Sequence, residues 1–89
     1  MHHVLYNAHA REDLKKLERK TAQRIIKKIF YFSQQKDPLS YAKKLTNSEI
    51  GKFRFRIGDY RAIFDVDNNG EIHILMILRI KHRKDIYNL

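Results

Sequence analysis

The stretch Lys52–Val66, KFRFRIGDYRAIFDV, leaves its chain few ways to fold. Basic and apolar residues alternate strictly from Lys52 to Ile57, the period of a strand buried on one face only. Gly58-Asp59 then supplies a two-residue loop with glycine first, as a type II′ hairpin requires. With that loop Ile57 pairs with Tyr60 and Arg56 with Arg61. Phe53, Phe55 and Ile57 share one face; Lys52, Arg54 and Arg56, joined by Arg61, share the other. Like charges facing each other across a ladder cost stability. These residues alone leave two readings open, a solvated outer face or a binding patch.

A chain of 89 residues has room for one core, and we read 1–89 as a single domain. The excess of 19 Lys and Arg over 10 Asp and Glu gives a net charge of +9, a field that draws polyanions and weakens with salt. Nucleic acid, the ribosome and an acidic protein all fit. Hydrophobic residues make up 43% of the chain, too many for a disordered basic tail. The absence of cysteine rules out a disulfide frame and a thiolate nucleophile, which suits a reducing cytoplasm. No apolar run has the length of a membrane span, and the start, MHHVLYNAHARED, lacks the apolar region of a signal peptide.

Taken in order, residues 2–6 predict a short strand, and Asn7 an N-cap for a helix starting at Ala8. Ala10, Leu14 and Leu17 form its apolar stripe. A second helix is expected from Arg19 or Thr21 to Gln34, buried along Ala22, Ile25, Ile26, Ile29, Phe30 and Ser33. The stripe changes phase between the two, which predicts a helical hairpin. Asp37-Pro38 ends the second helix. Residues 39–51 are expected to connect, with one helical turn near Tyr41–Leu45. After the hairpin, Asp67-Asn68-Asn69-Gly70 predicts a three-residue loop with Gly70 left-handed. Asp67 would then face Glu71, Val66 Ile72, Phe64 Ile74 and Ala62 Met76. His73 would lie beside Asp65, and Arg79 near the Arg56–Arg61 corner. The third strand, Glu71–Arg79, is apolar on both faces and so central, with residues 4–6 as its other neighbour. The expectation is an α+β fold: an N-terminal strand, a helical hairpin, and a three-stranded antiparallel meander completing a four-stranded sheet. Both helices cover one face, and the basic residues occupy the other.

The five histidines lack metal-ligand spacing with carboxylates, so no metal site is read from them. Phosphate loops, nucleotide fingerprints and nucleophile elbows are missing from the sequence. What remains is a basic constellation: Lys52, Arg54, Arg56, Arg61 and Arg79 on strands, with Lys81, His82, Arg83 and Tyr87 in the tail. Cleaving RNA without metal requires that a 2′-hydroxyl lose its proton, that charge on phosphorus be stabilised, and that the leaving 5′-oxygen be protonated. Guanidinium groups supply the second need, but arginine stays protonated, so a lysine such as Lys52 is better suited to taking the proton. Tyr87 can stack on a splayed base or share a proton, and histidine as a type titrates near neutrality. Simple RNA or DNA binding predicts the same charges.

The chain resembles the RelE/ParE superfamily of toxin–antitoxin toxins along nearly its whole length. The likeness rests on AREDLKKL (Ala10–Leu17), AKKL (Ala42–Leu45), FRFRIGDYRAIFDV (Phe53–Val66) and LRIKHRKDIY (Leu78–Tyr87). The order of R-x-G-D-Y-R before H-R-K-D-I-Y is its most specific part. The resemblance implies a RelE-like fold and a cytoplasmic, metal- and cofactor-independent ribonuclease that enters the ribosomal A site and cuts mRNA within codons. Carried over by position, the catalytic set is Lys52, Arg54, Arg61, Lys81 and Tyr87. Lys44, Arg56, Arg79, His82 and Arg83 are the RNA-binding set. A cognate RelB-like antitoxin would wrap the toxin as an extended chain containing a helix. Arg54 stands where some members carry a second lysine, Lys81 where some carry arginine, and the chain ends two residues after Tyr87. Alternatives are a ParE-like gyrase poison of the same fold and a basic RNA-binding module without catalysis.

Overall fold

A computed structural model describes residues 2–46, 48–69 and 72–86, residues 68, 69 and 72 by their backbone alone. Strand β1 (His3–Tyr6) leads into α1 (Ala8–Lys15), whose first turn is capped as expected: the Ala10 N–H donates to Asn7 Oδ1 at 2.8 Å. Helix α2 (Arg19–Ser33) completes the helical hairpin. A 3-10 turn at Pro38–Tyr41 precedes β2 (Ala42–Lys44), and β3 (Phe53–Ile57), β4 (Tyr60–Asn69) and β5 (Ile72–His82) form the meander. The tail makes a second 3-10 turn at Arg83–Asp85.

The sheet has five strands rather than four, in the order β1-β5-β4-β3-β2. β1 runs parallel to β5, and all other neighbours are antiparallel. The extra strand is β2, in the segment expected to hold a helical turn. Ala42, Lys43 and Lys44 instead satisfy their backbone groups on the outer edge of β3. The β3–β4 register is as expected, with Ile57 opposite Tyr60 and Arg56 opposite Arg61. Gly58 has φ of +58°, the left-handed region that glycine enters without penalty.

The β4–β5 register differs from expectation. Asn69 faces Ile72 and Asp67 faces Ile74, while Asp65 faces Met76 and His73 faces Asn68. The expected left-handed turn falls on Gly70, outside the described residues. A shorter connection would by itself turn Arg79 toward the core. Leu78 prevents this, because it is an extra residue between the Phe64–Ile77 and Ile63–Arg79 pairs, a β-bulge that resets the alternation. β5 also runs three residues past Arg79, so the tail leaves the sheet at Arg83, not beside Arg79.

The helices cover one face of the sheet. Phe32 of α2 packs at a tilt on Phe55 at 4.6 Å between centroids, Phe55 stacks on Phe64 at 4.3 Å, and Phe53 stacks on Phe64 at 5.6 Å. Ala10, Ile25, Ile29, Ile77, Leu75 and Ile80 fill the space around this stack. Each stacked pair adds about 1 kcal/mol to the burial of its rings. The stack also fixes how α2 is rotated: Phe32 turns inward, and Phe30, expected in the core, is 61% exposed, with Ile26 exposed beside it. The opposite face carries a smaller core of Leu45, Ile63 and Ile86, with Ile50 against it. That face is therefore mixed, not uniformly basic.

Candidate nucleic-acid interface

The outer face is built row by row by the strand register. One row crosses the sheet as Lys43–Arg54–Ile63–Arg79, and the next as Arg56–Arg61–Lys81. Lys52, exposed just before β3, extends the Arg54–Arg56 column. Its backbone is locked by two contacts: its N–H donates to Asp65 Oδ1 at 2.8 Å, and its carbonyl accepts from the Leu45 N–H at 2.7 Å. The register places Lys43 in this row, and not Lys44, which the sequence put forward. Once β2 is known to be a strand, alternation puts Lys43 in the basic row and Lys44 opposite Phe53 on the other face. The only hint in the sequence is AKKL itself, too short to carry a period.

Arg61 is only 8% exposed, not the open surface position its place in the row suggests. Its Nη1 group donates to the carbonyls of Gly58 at 2.9 Å and Tyr60 at 2.8 Å, so the guanidinium is pinned to the hairpin it belongs to. Nε and Nη2 still carry donors beyond these bonds, in the planar arrangement that matches a phosphate. Burial, and then the charges of Arg54, Arg56 and Arg83, hold Arg61 below the ordinary arginine value, against the opposing pull of Asp59. This is a cation short of counter-charge.

Arg79 is in the contrary state. Its Nε and Nη2 donate to the two carboxylate oxygens of Asp13 at 2.8 and 3.1 Å, a bidentate pair. Asp13 Oδ2 also accepts from the Ile80 N–H at 2.9 Å, capping the edge of β5 where β1 has ended. Burial raises the Asp13 carboxyl, but the bonds from Arg79 and Ile80 and the charges of Arg79 and Lys81 outweigh it, so the group lies below the usual carboxylate range. The Asp13 bond in turn raises Arg79 against its own burial. Arg79 therefore joins the row by register while its charge is spent on α1.

The remaining predicted residues divide. Lys81 faces Arg61, and Arg83 reaches Asp59 through a 3.6 Å ion pair between exposed side chains while its N–H donates to the Asp59 carbonyl at 2.7 Å. His82 pairs with Tyr60, which packs on the helix-side core, so it lies on the other face from Arg61 and Lys81. Its ring meets Tyr60 edge-on at 5.3 Å, and Nδ1 accepts from the Lys84 N–H at 3.2 Å. Tyr87 lies outside the described residues. Ile86, one residue earlier, is buried in the small core with Ile63, so the described chain ends over the middle of the basic face. Beside the rows, a groove of about 330 Å³ runs along Tyr41, Lys43, Arg54 and Arg56. Among the described residues no three His, Asp or Glu side chains gather as metal ligands, and no helix is long and apolar enough to cross a membrane.

Comparison with known proteins matches the same architecture. Residues 4–87 fit the family model of the ParE toxin of the type II toxin–antitoxin system parDE. Toxin RelG of Mycobacterium tuberculosis is 34% identical over 85 residues, covering 94% of this chain and 93% of RelG. The toxin–antitoxin complex RelBE2 of the same organism contains a chain with a TM-score of 0.73 and 29% identity, covering 91% of this chain and 96% of that one. The RelB–RelE antitoxin–toxin complex of Methanococcus jannaschii contains another, with a TM-score of 0.57 and 26% identity, covering 94% and 95%. A five-stranded sheet under a helical hairpin, with a match spanning nearly every residue, makes this chain a member of the RelE/ParE superfamily, a toxin of a type II toxin–antitoxin system.

Proposed function

We propose that the chain is a cytoplasmic, ribosome-dependent mRNA endoribonuclease that blocks translation without metal or cofactor, its whole length acting as one toxin domain. The observation that carries this reading is the Arg56–Arg61–Lys81 row, where a buried, pinned guanidinium is crowded by cations. Such a site favours a ligand that brings negative charge, and most of all one whose charge grows in the transition state. Arg61 and Arg54 stabilise the pentavalent phosphorus, and Arg56 and Arg83 hold neighbouring phosphates. Proton transfers at the 2′- and 5′-oxygens fall to Lys52, Lys81 and Tyr87. Lys43 joins the RNA contacts in place of Lys44, and Arg79 acts through strand order rather than by touching phosphate. A RelB-like antitoxin, the kind of partner named for the similar complexes, would cover this face when the toxin is silent.

Mapping mRNA 5′ ends after incubation with and without translating ribosomes tests the assignment. Cuts within codons should appear only when ribosomes are present. Equal cutting of free mRNA would remove the ribosome from the scheme, and binding with no new ends would leave an RNA-binding module. A second reading, a gyrase poison, is favoured by the family model itself, which describes a ParE toxin. Inhibition of purified gyrase without mRNA cleavage would make it the better one.

A further inference from the structure

A second basic surface lies on the other side of β3. The exposed face of α2 and the β3–β4 turn enclose a groove of about 750 Å³ lined by Lys20, Arg24, Lys27, Lys28, Tyr31 and Arg56, together with the turn residues Ile57 and Gly58. On the helix Lys20, Arg24, Lys27 and Tyr31 recur every three or four positions, with Lys28 next to Lys27, making one stripe about 16 Å long with steps of about 6 Å. Among the described residues, ion pairs join Lys15 to Glu12, Arg79 to Asp13 and Arg83 to Asp59, and none reaches this groove. Its lining holds no carboxylate. Like charges so spaced on a helix destabilise it, and among the described residues Lys28 alone of these cations is held over aromatic rings, those of Tyr31 and Phe32. Arg24 also lies close over the turn, since a Cβ added to Gly58 would stand 3.6 Å from its Nη2.

We infer that this groove is a second RNA seat, binding the sugar–phosphate backbone along the α2 stripe with one base stacked on Tyr31. Three observations point to RNA rather than to an acidic peptide. Arg56 lines both this groove and the one beside Lys43 and Arg54, so a single polyanion can pass round the β3 edge without leaving positive surface. Tyr31 is 50% exposed with Lys28 Nζ 5.0 Å over its ring, so a base that displaces the ammonium gains the aromatic face while the freed cation meets its phosphate. The apolar α2 side chains that an amphipathic helix would seek, Ile26 and Phe30, are exposed but stand outside the groove. The groove meets the cleavage row only at Arg56, and its occupancy does not depend on whether the chain cuts RNA.

The test uses the full chain and a short, fully 2′-O-methylated single-stranded RNA, which has no 2′-hydroxyl to attack and so reports binding alone. Fluorescence anisotropy between about 50 and about 200 mM salt compares wild type, Lys20→Gln/Lys27→Gln, the charge-preserving Lys20→Arg/Lys27→Arg, and Lys16→Gln/Lys36→Gln, which removes the same charge elsewhere. The groove double should bind about tenfold more weakly at low salt, with a salt slope lower by about 1.4, from about 0.7 for each lost contact. The arginine double should bind like wild type. Equal losses in the groove and control doubles would overturn the assignment in favour of a diffuse field. Displacement of the RNA from the groove by a polyglutamate peptide of matched charge and at matched concentration would overturn it in favour of an acidic protein. Loss of ribosome-dependent cleavage in the mRNA mapping with RNA binding intact would count against the cleavage site alone.

Discussion

The two arginines that flank the basic face, Arg61 and Arg79, sit on adjacent strands two rungs apart and have opposite fates. Arg79 meets a carboxylate from α1 and is neutralised; Arg61 meets two backbone carbonyls and three other arginines and is not. Strand position made both of them candidates for phosphate. The neighbouring element decided which one still has charge to offer. A helix packed along the β5 edge turns one corner of the face into a brace, and its distance from the hairpin leaves the other corner electrostatically incomplete.

The largest expected effect breaks the Arg61 corner. Arg61→Ala should lower ribosome-dependent cleavage by about 10²–10³-fold, the scale for removing one preorganised donor. Because Arg61 is buried, the same change should also lower stability, by about 1–2 kcal/mol as Gly58 and Tyr60 lose a donor. Arg61→Lys separates the two: stability should largely return and cleavage should not, because an ammonium lacks the planar fork. Wild-type cleavage by the lysine variant would remove Arg61 from the site.

Next is the Arg79 corner. Asp13→Ala should destabilise the fold by about 2 kcal/mol in urea titrations, since it strands both a guanidinium and the Ile80 N–H. RNA affinity should not fall. With Arg79 released, the salt slope for RNA should instead steepen by up to about 0.7. A loss of cleavage beyond the loss of folded protein would show that Arg79 needs Asp13 for more than strand order.

The same pair predicts a pH dependence. The folded Asp13 carboxyl lies below its unfolded value, so its contribution is fully present above about pH 4. It should fade as the pH drops through the folded value. Asp13→Asn should flatten the acid limb of the stability profile and leave the neutral region parallel to wild type.

Smaller effects follow at the turn and the edge. Gly58→Ala places a side chain at φ of +58°, and about 1 kcal/mol of stability should be lost. If the strained turn moves the Gly58 carbonyl, cleavage should fall with it, because that carbonyl holds Arg61. Lys43→Gln should change little but the salt slope, by about 0.7, while Lys44→Gln should change it less.

Much of this was legible in the chain. The hairpin register followed from alternation and a two-residue loop, both local, and the Asn7 cap from side-chain chemistry one turn long. The helical hairpin could be read from the phase change in its apolar stripe. The β4–β5 register could not, because Leu78 is as apolar as its neighbours and nothing in IHILMIL marks which residue is extra. The rotation of α2 was hidden for a similar reason: Phe30 and Phe32 differ in no intrinsic property, and the Phe55 ring selected between them.

For the site, the sequence by itself determined composition and order: an excess of cations, alternation that sends Arg54, Arg56 and Arg61 to one face, and a basic tail that follows β5. Those are consequences of side-chain type and a two-residue period, which need no distant partner. Tertiary structure alone decided what each cation does. Asp13 stands 66 residues from Arg79, and Ile86 closes on Ile63 from across the sheet, contacts that no local pattern encodes. A charge is fixed by its residue, but its availability is fixed by what the fold sets beside it.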